Sequence, residues 1–204
     1  ALSAFKFSEG RSDLAYGLVK YNVPTGRWSE YKKLLEKAEL KNKRDKFQNF
    51  RSIVYSQGEY KAYIAPKSSI DALLCGEATD CCMTPAYPSQ GWHCLSGALL
   101  EKNQAIFVVE KGGTIFSQSW IWYQDLKRDD VKFTGVCFDS LETVFKTPKE
   151  LVLIFSIMQE FALLLKKEMK LDLIWFGEQG IFEEDYFSSI EDEVFDLCYL
   201  YSVP

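Results

Sequence analysis

Residues 104–142 read QAIFVVEKGGTIFSQSWIWYQDLKRDDVKFTGVCFDSLE, and this stretch decides the fold. It predicts three successive strands. The first runs Gln104 to Glu110 and the second Thr114 to Tyr123, joined through Lys111-Gly112-Gly113. Two glycines supply the positive φ that a tight hairpin demands. The third strand, Phe133 to Phe138, ends in the acidic Asp139-Ser140-Leu141-Glu142. Alternation along the second strand puts Gln118, Trp120 and Trp122 on one face and Ser117, Ser119, Ile121 and Tyr123 on the other.

Outward from this meander, Thr147-Pro148-Lys149-Glu150 carries a helix start: threonine at the N-cap, proline at N1 and glutamate at N3. The helix is expected to run to about Met169. It is apolar over most of its circumference, which predicts burial on several sides, including Phe161 and Leu163. Leu171 to Phe176 predicts another strand, residues 180–193 a short acidic helix, and Val194 to Tyr201 a last strand.

The first half is less regular. Pro24-Thr25-Gly26 predicts a turn, and Ser29 to about Phe47 a charged helix with Leu34, Leu35 and Ala38 as its apolar stripe. Residues 51–65 predict a hairpin turning at Gln57-Gly58. Ser68 or Ser69 is expected to cap a helix ending near Cys75-Gly76, and residues 77–97 to form a long loop.

The 204 residues are 47% hydrophobic, enough for a real core, and no run approaches the roughly 18 apolar residues that a membrane span needs. The net charge of −5 is unevenly spread. Residues 1–67 hold 14 Lys/Arg against 7 Asp/Glu, while 68–204 hold 10 against 22. The reading divides the chain there, into a basic, mainly helical amino-terminal extension and an α/β domain. A basic extension suits an anionic partner or simply its own acidic remainder. An acidic whole argues against a dedicated nucleic-acid binder. Cysteines stand at 75, 81, 82, 94, 137 and 198, in a chain too long to be a disulfide-stapled mini-scaffold. With no visible leader, the expected setting is reducing and cytoplasmic.

Four groups of residues could carry chemistry. Cys81, Cys82, His93 and Cys94 are of the kinds that bind zinc or iron. Adjacent cysteines cannot easily both face one ion, however, so no metal site is assigned. Alternatively, Cys82 is a nucleophile activated by His93, the only histidine; the plainest reading is thiols shaping a loop. Asp139 and Glu142 are candidates for general acid/base work, or simply a solvated turn. Gln118, Ser119, Trp120 and Trp122 are candidate substrate-binding residues, or core and cross-strand pairs. Tyr199 and Tyr201 could supply a phenol as general acid.

The order strand, strand, strand, helix, strand, short helix, strand resembles the carboxy-terminal part of the GNAT acyltransferase fold. So do Thr79-Asp80-Cys81-Cys82, Ser117-Gln118-Ser119-Trp120-Ile121-Trp122, Phe138-Asp139-Ser140-Leu141-Glu142 and Leu200-Tyr201-Ser202, which resemble a divergent bacterial and phage group of GNAT-like architecture. The resemblance implies a mainly antiparallel mixed sheet with a long central helix, an acyl-CoA donor and a carboxylate base on the third meander strand. It also implies an Arg/Gln-x-x-Gly-x-Gly/Ala turn whose backbone amides hold the coenzyme A pyrophosphate. Here Glu142 to Glu150 contains no glycine, and Pro148 removes one donor. Lys146, Lys149 and the helix N-terminus are what remains for a phosphate. The readings left open are a divergent acyltransferase-like domain, a non-catalytic binding module on the same fold, and a thiol- or metal-dependent enzyme.

Overall fold

The computed structural model describes residues 12–41, 45–83, 90–128, 130–144 and 147–177. Lys146, Cys198, Tyr199, Tyr201, the expected acidic helix and the expected last strand lie outside them.

The meander is present and longer than expected: β3 at Gln104–Lys111, β4 at Thr114–Arg128 and β5 at Val131–Phe138. Gly112 and Gly113 turn the first hairpin at φ of 58° and 78°. Pairing is antiparallel throughout, with Ile106 opposite Trp120 and Trp122 opposite Cys137. A bulge beside Val109/Glu110 shifts the register, so that Ile115 enters one core and Phe116 packs on the other.

The hairpin predicted at 51–65 forms as β1 (Val54–Gln57) and β2 (Tyr60–Ile64), with Gly58 at φ 60° in its turn. β2 then pairs antiparallel with β3. The sheet therefore runs across residue 67, where the charge distribution changes sign.

The long helix, α5, spans Pro148–Met169, as its cap predicts. Thr147 Oγ1 accepts from the Glu150 backbone N–H at 3.3 Å and donates to the Glu150 carboxylate at 2.9 Å. Lys170 in the left-handed conformation ends the helix. β7 (Leu173–Phe176) follows and pairs parallel with β5, Gly135 opposite Leu173. Gly135 leaves the space this pairing uses: a Cβ there would sit 3.0 Å from the Leu173 carbonyl oxygen and 2.6 Å from the Trp175 ring. The two-residue β6, Glu142–Thr143, pairs with β4. The strand order is β1-β2-β3-β4-β5-β7, antiparallel except for the last pair. The chain has a GNAT-like α/β fold, a meander leading through a long helix into the parallel strand β7.

Four further helices lie along the chain: α1 (Ser12–Lys20), α2 (Trp28–Lys41), α3 (Ile70–Thr79) and α4 (Gln90–Leu100). They pack with Ile106, Val108 and Ile115 in one core. On the opposite face of the sheet, Ile154, Ile157, Met158, Phe161, Ala162 and Leu165 of α5 meet Phe107, Ile121, Val136 and Phe138.

Four local expectations are corrected. The charged helix, described over Trp28–Lys41, is over by Asp45 rather than running to Phe47. α3 runs to Thr79, past Cys75-Gly76; of its two candidate caps, Ser69 takes the Ala72 N–H at 3.1 Å. Part of the loop expected at 77–97 is helix α4. α5 buries one face only, and Val152, Leu163 and Leu164 are exposed on the other. Its apolar composition could not tell burial by a sheet from burial all round.

Lys67 is buried, and its ammonium donates to the Glu101 carbonyl near the Asp45–Arg51 ion pair. Burial holds its pKa down to about 8, against an ordinary 10.5. Between those values the folded protein binds fewer protons than the unfolded chain, so the group favours folding more as pH rises. Thermal unfolding of the wild type from pH 7.5 to 10 should therefore gain stability relative to Lys67→Met. Parallel curves for the two proteins contradict the placement.

Candidate functional site

The antiparallel register assembles the site. Residues directly opposite one another share a face. Gln104, Ile106 and Val108 of β3 stand opposite Trp122, Trp120 and Gln118 of β4. Cys137 of β5 stands opposite Trp122, and Glu142 of β6 opposite Gln118. Asp139 extends the β5 ladder, donating its N–H to the Trp120 carbonyl at 2.8 Å. One face of the sheet thus carries Gln118, Trp120, Trp122 and Glu142, with Asp139 at its edge. Helices α3 and α4 cover this face. At Gly97 of α4 a Cβ would lie 3.2 Å from the Trp120 ring and 3.1 Å from Gln104 Oε1, so glycine lets the helix sit close.

Trp120 and Trp122 stack on each other, their ring centroids 4.2 Å apart. Gln118 is 1% exposed and donates from Nε2 to Cys81 Sγ at 3.1 Å. Gln118 Oε1, Trp120 Nε1 and Gln104 Oε1 are buried on this same face without a hydrogen-bond partner among the described residues. Buried polar atoms are nearly always paired, so the face keeps hydrogen-bonding capacity for a small molecule or solvent.

Ser119 is on the other face of β4, as alternation requires. It is fully buried, and its hydroxyl donates to the Asp139 carbonyl at 2.9 Å. It fixes the backbone that carries Asp139 and faces away from Gln118 and Trp120. Ser117 does the same for β6, donating to the Glu142 carbonyl at 2.8 Å. These two serines are positioning residues that strand alternation alone could not identify.

Glu142 is half-buried beside Asp139. Burial raises its pKa, the Asp139 charge raises it further, and the Ser140 hydroxyl at 3.5 Å acts in the opposite sense. Two carboxylates side by side, one pushed up, is an arrangement suited to proton transfer.

The thiols gather above the carboxylates. Cys81 is buried; it accepts from the Met83 N–H at 3.3 Å as well as from Gln118, and burial pushes it up to about 11. Cys75, fully buried in α3, is also raised by burial. Both are pins rather than nucleophiles. Cys82 is exposed, and Cys94 is half-buried. The Cys94 thiol is raised first by burial, then by the neighbouring Cys82 and by the charge of Asp139. His93 is exposed on α4, its carbonyl accepting from Ser96 Oγ at 3.3 Å. Among the described residues the group beside Cys82 is thus Cys94, and no hydrogen bond joins Cys82 to His93. No group of three or more His, Cys, Asp or Glu among the described residues could hold a metal ion. Lys149 is exposed in the first turn of α5. No helix among the described residues is long and apolar enough to cross a membrane.

No protein-family model matches the sequence, and no curated protein matches it. Solved structures do resemble the chain. One is a ribosomal-protein-alanine N-acetyltransferase from Brucella melitensis biovar Abortus 2308, 9% identical, covering 71% of this chain and 99% of its own, with a TM-score of 0.40. A possible acetyltransferase from Clostridium difficile 630 is 12% identical, covers 72% and 99%, and has a TM-score of 0.41. An aminoglycoside acetyltransferase from an uncultured soil metagenomic sample is 12% identical, covers 72% and 97%, and has a TM-score of 0.39. The GNAT-like description of the fold rests on the strand order and the β5–α5–β7 unit.

Proposed function

We propose that the chain is a divergent acyltransferase-like enzyme with its reaction cleft on the α3/α4 face of the sheet. The observation that supports this most is Glu142: half-buried, raised in pKa and beside Asp139, on the same face as Gln118 and Trp120. In this reading Glu142 accepts the proton that an acyl acceptor loses as it attacks the donor. Burial, and then the charge of Asp139, keep the pKa of Glu142 up. The stacked Trp120 and Trp122 form an apolar wall, and the free polar atoms of Gln118 and Trp120 orient the acceptor. An acyl-CoA donor is the partner the fold suggests. The residues before α5 lack the glycine turn for its pyrophosphate, so the donor is held weakly, by Lys149 and the helix start. That same lack favours the second reading, a binding module that has kept the fold without the chemistry.

The test offers acetyl-CoA at millimolar concentration with a mixture of primary amines and alcohols, and follows free coenzyme A. The expected result is acceptor-dependent release that does not saturate below the high-micromolar range, with no tighter binding by calorimetry. A sub-micromolar dissociation constant would contradict the weak donor grip. Absence of acceptor-dependent release would contradict acyl transfer and leave the binding module standing.

A further inference from the structure

We propose that Gln118 is the specificity-determining residue of this face and that Cys81 positions it, so that the group bound beside Glu142 must carry two or more hydrogens on one nitrogen. The inference rests on the acyl-transfer reading for the role of that group as the acceptor; the recognition itself is read from hydrogen bonds. Gln118 and Glu142 are direct cross-strand partners, and β6 is stitched to β4 around them. Ser117 donates to the Glu142 carbonyl, while Thr143 Oγ1 and the Val144 N–H both donate to the Phe116 carbonyl, at 3.2 and 3.0 Å. Opposed side chains of this kind start about 5 Å apart at Cβ. The Gln118 carboxamide and the Glu142 carboxylate are therefore neighbours on one face. A carboxamide has two ends, a donor at nitrogen and an acceptor at oxygen. Cys81 takes the first. Its N–H is on the Gly76 carbonyl at 3.0 Å and its sulfur accepts the Met83 N–H at 3.3 Å, so backbone holds the sulfur in place. That sulfur accepts from Gln118 Nε2 at 3.1 Å, and this bond holds the amide in its present sense. The other end, Oε1, is left buried with no partner among the described residues, on a side chain that is 1% exposed.

Two neighbouring acceptors result, Gln118 Oε1 and the Glu142 carboxylate. A buried acceptor rejects a ligand that leaves it unpaired. A primary ammonium brings three N–H groups, enough for both acceptors. A tertiary ammonium of the same charge brings one and leaves an acceptor unsatisfied. The count carries into the reaction, where the neutral primary amine has two hydrogens. Its lone pair forms the C–N bond to the acyl carbon, the bond from that carbon to the coenzyme A sulfur breaks, and the electron pair leaves on sulfur. One proton passes to Glu142 and from there to the thiolate or solvent. The other stays on nitrogen and donates to Gln118 Oε1. An alcohol has a single hydrogen, which Glu142 takes, so Gln118 stays unpaired. Cys81 acts through Gln118 and is a positioning residue.

The full chain is titrated at pH 7 with butylamine and with N,N-dimethylbutylamine, both cations there, in wild type, Gln118→Met, Cys81→Ala and Cys81→Ser. Affinity is read by calorimetry, and the Gln118 carboxamide signals by NMR. Wild type is expected to bind butylamine about 10-fold or more tightly than the dimethyl compound, with a shift of the Gln118 signals. Gln118→Met should bring that ratio close to one. Cys81→Ala should lower it several-fold, and Cys81→Ser, which keeps an acceptor for Nε2, should restore it. A merely structural Cys81 would weaken both amines together and leave the ratio where it was, which overturns the positioning role. The proposal is overturned if butylamine leaves the wild-type Gln118 signals unmoved, a result that needs no variant to fold. It is equally overturned if wild type binds the two amines alike, or if the ratio survives in Gln118→Met. Butylamine bound with this preference but without release of coenzyme A from acetyl-CoA would contradict acyl transfer and leave the recognition standing.

Discussion

Phe161→Ala is expected to cost about 3–5 kcal/mol of folding stability, and Leu163→Ala, two residues along the same helix, about 1 kcal/mol or less. Phe161 is fully buried and Leu163 is 43% exposed. The Phe161 ring lies 5.0 Å from Phe107 of β3, which meets Phe138 of β5 at 5.5 Å, and Phe138 meets Phe176 of β7 at 5.5 Å. This chain of rings fastens α5 to three strands, so truncating its helical end leaves a cavity that close-packed neighbours cannot fill. Urea midpoints for the two variants decide the matter. Equal shifts would mean that α5 does not present one face to the sheet.

Glu142→Gln is expected to lower the acyl-transfer rate by about 100-fold or more, the usual contribution of a positioned general base. The same change should leave the protein as stable or more stable at neutral pH. The sign follows from the raised pKa. Below the ordinary glutamate value the folded and unfolded forms are both protonated. As pH rises through the raised folded value, the buried site must carry a charge that the unfolded chain holds in water, and stability is lost. A neutral amide of the same shape avoids that cost. The wild-type rate should rise with pH across the same window as Glu142 loses its proton. A variant that loses stability and activity together would instead mark Glu142 as a structural residue.

What the sequence disclosed and what it hid divide along local against long-range physics. Helix α5 was legible because Thr147, Pro148 and Glu150 act within one turn, and the meander because Gly112-Gly113 turns a hairpin locally. Alternation on β4 correctly set Gln118 and Trp120 apart from Ser119, yet it could not say which face carries the carboxylates. That depends on Asp139 and Glu142 pairing back onto Trp120 and Gln118 across the sheet. α4 was hidden because Gly91, Trp92, His93, Cys94 and Gly97 are weak helix formers, held helical by burial of Leu95, Ala98 and Leu99. For the same reason it was invisible that α4 brings Cys94, rather than His93, into the electrostatic neighbourhood of Cys82.

The most direct measurement is the titration of the Glu142 side-chain carboxyl, followed site by site by heteronuclear NMR in the wild type and in Asp139→Asn. The structure predicts a midpoint above the ordinary 4.5 in the wild type. Removing the Asp139 charge should bring it only part of the way back, because burial is the larger cause. A wild-type midpoint at or below 4.5, unmoved by Asp139→Asn, would contradict the paired-carboxylate site on which the proposed chemistry depends.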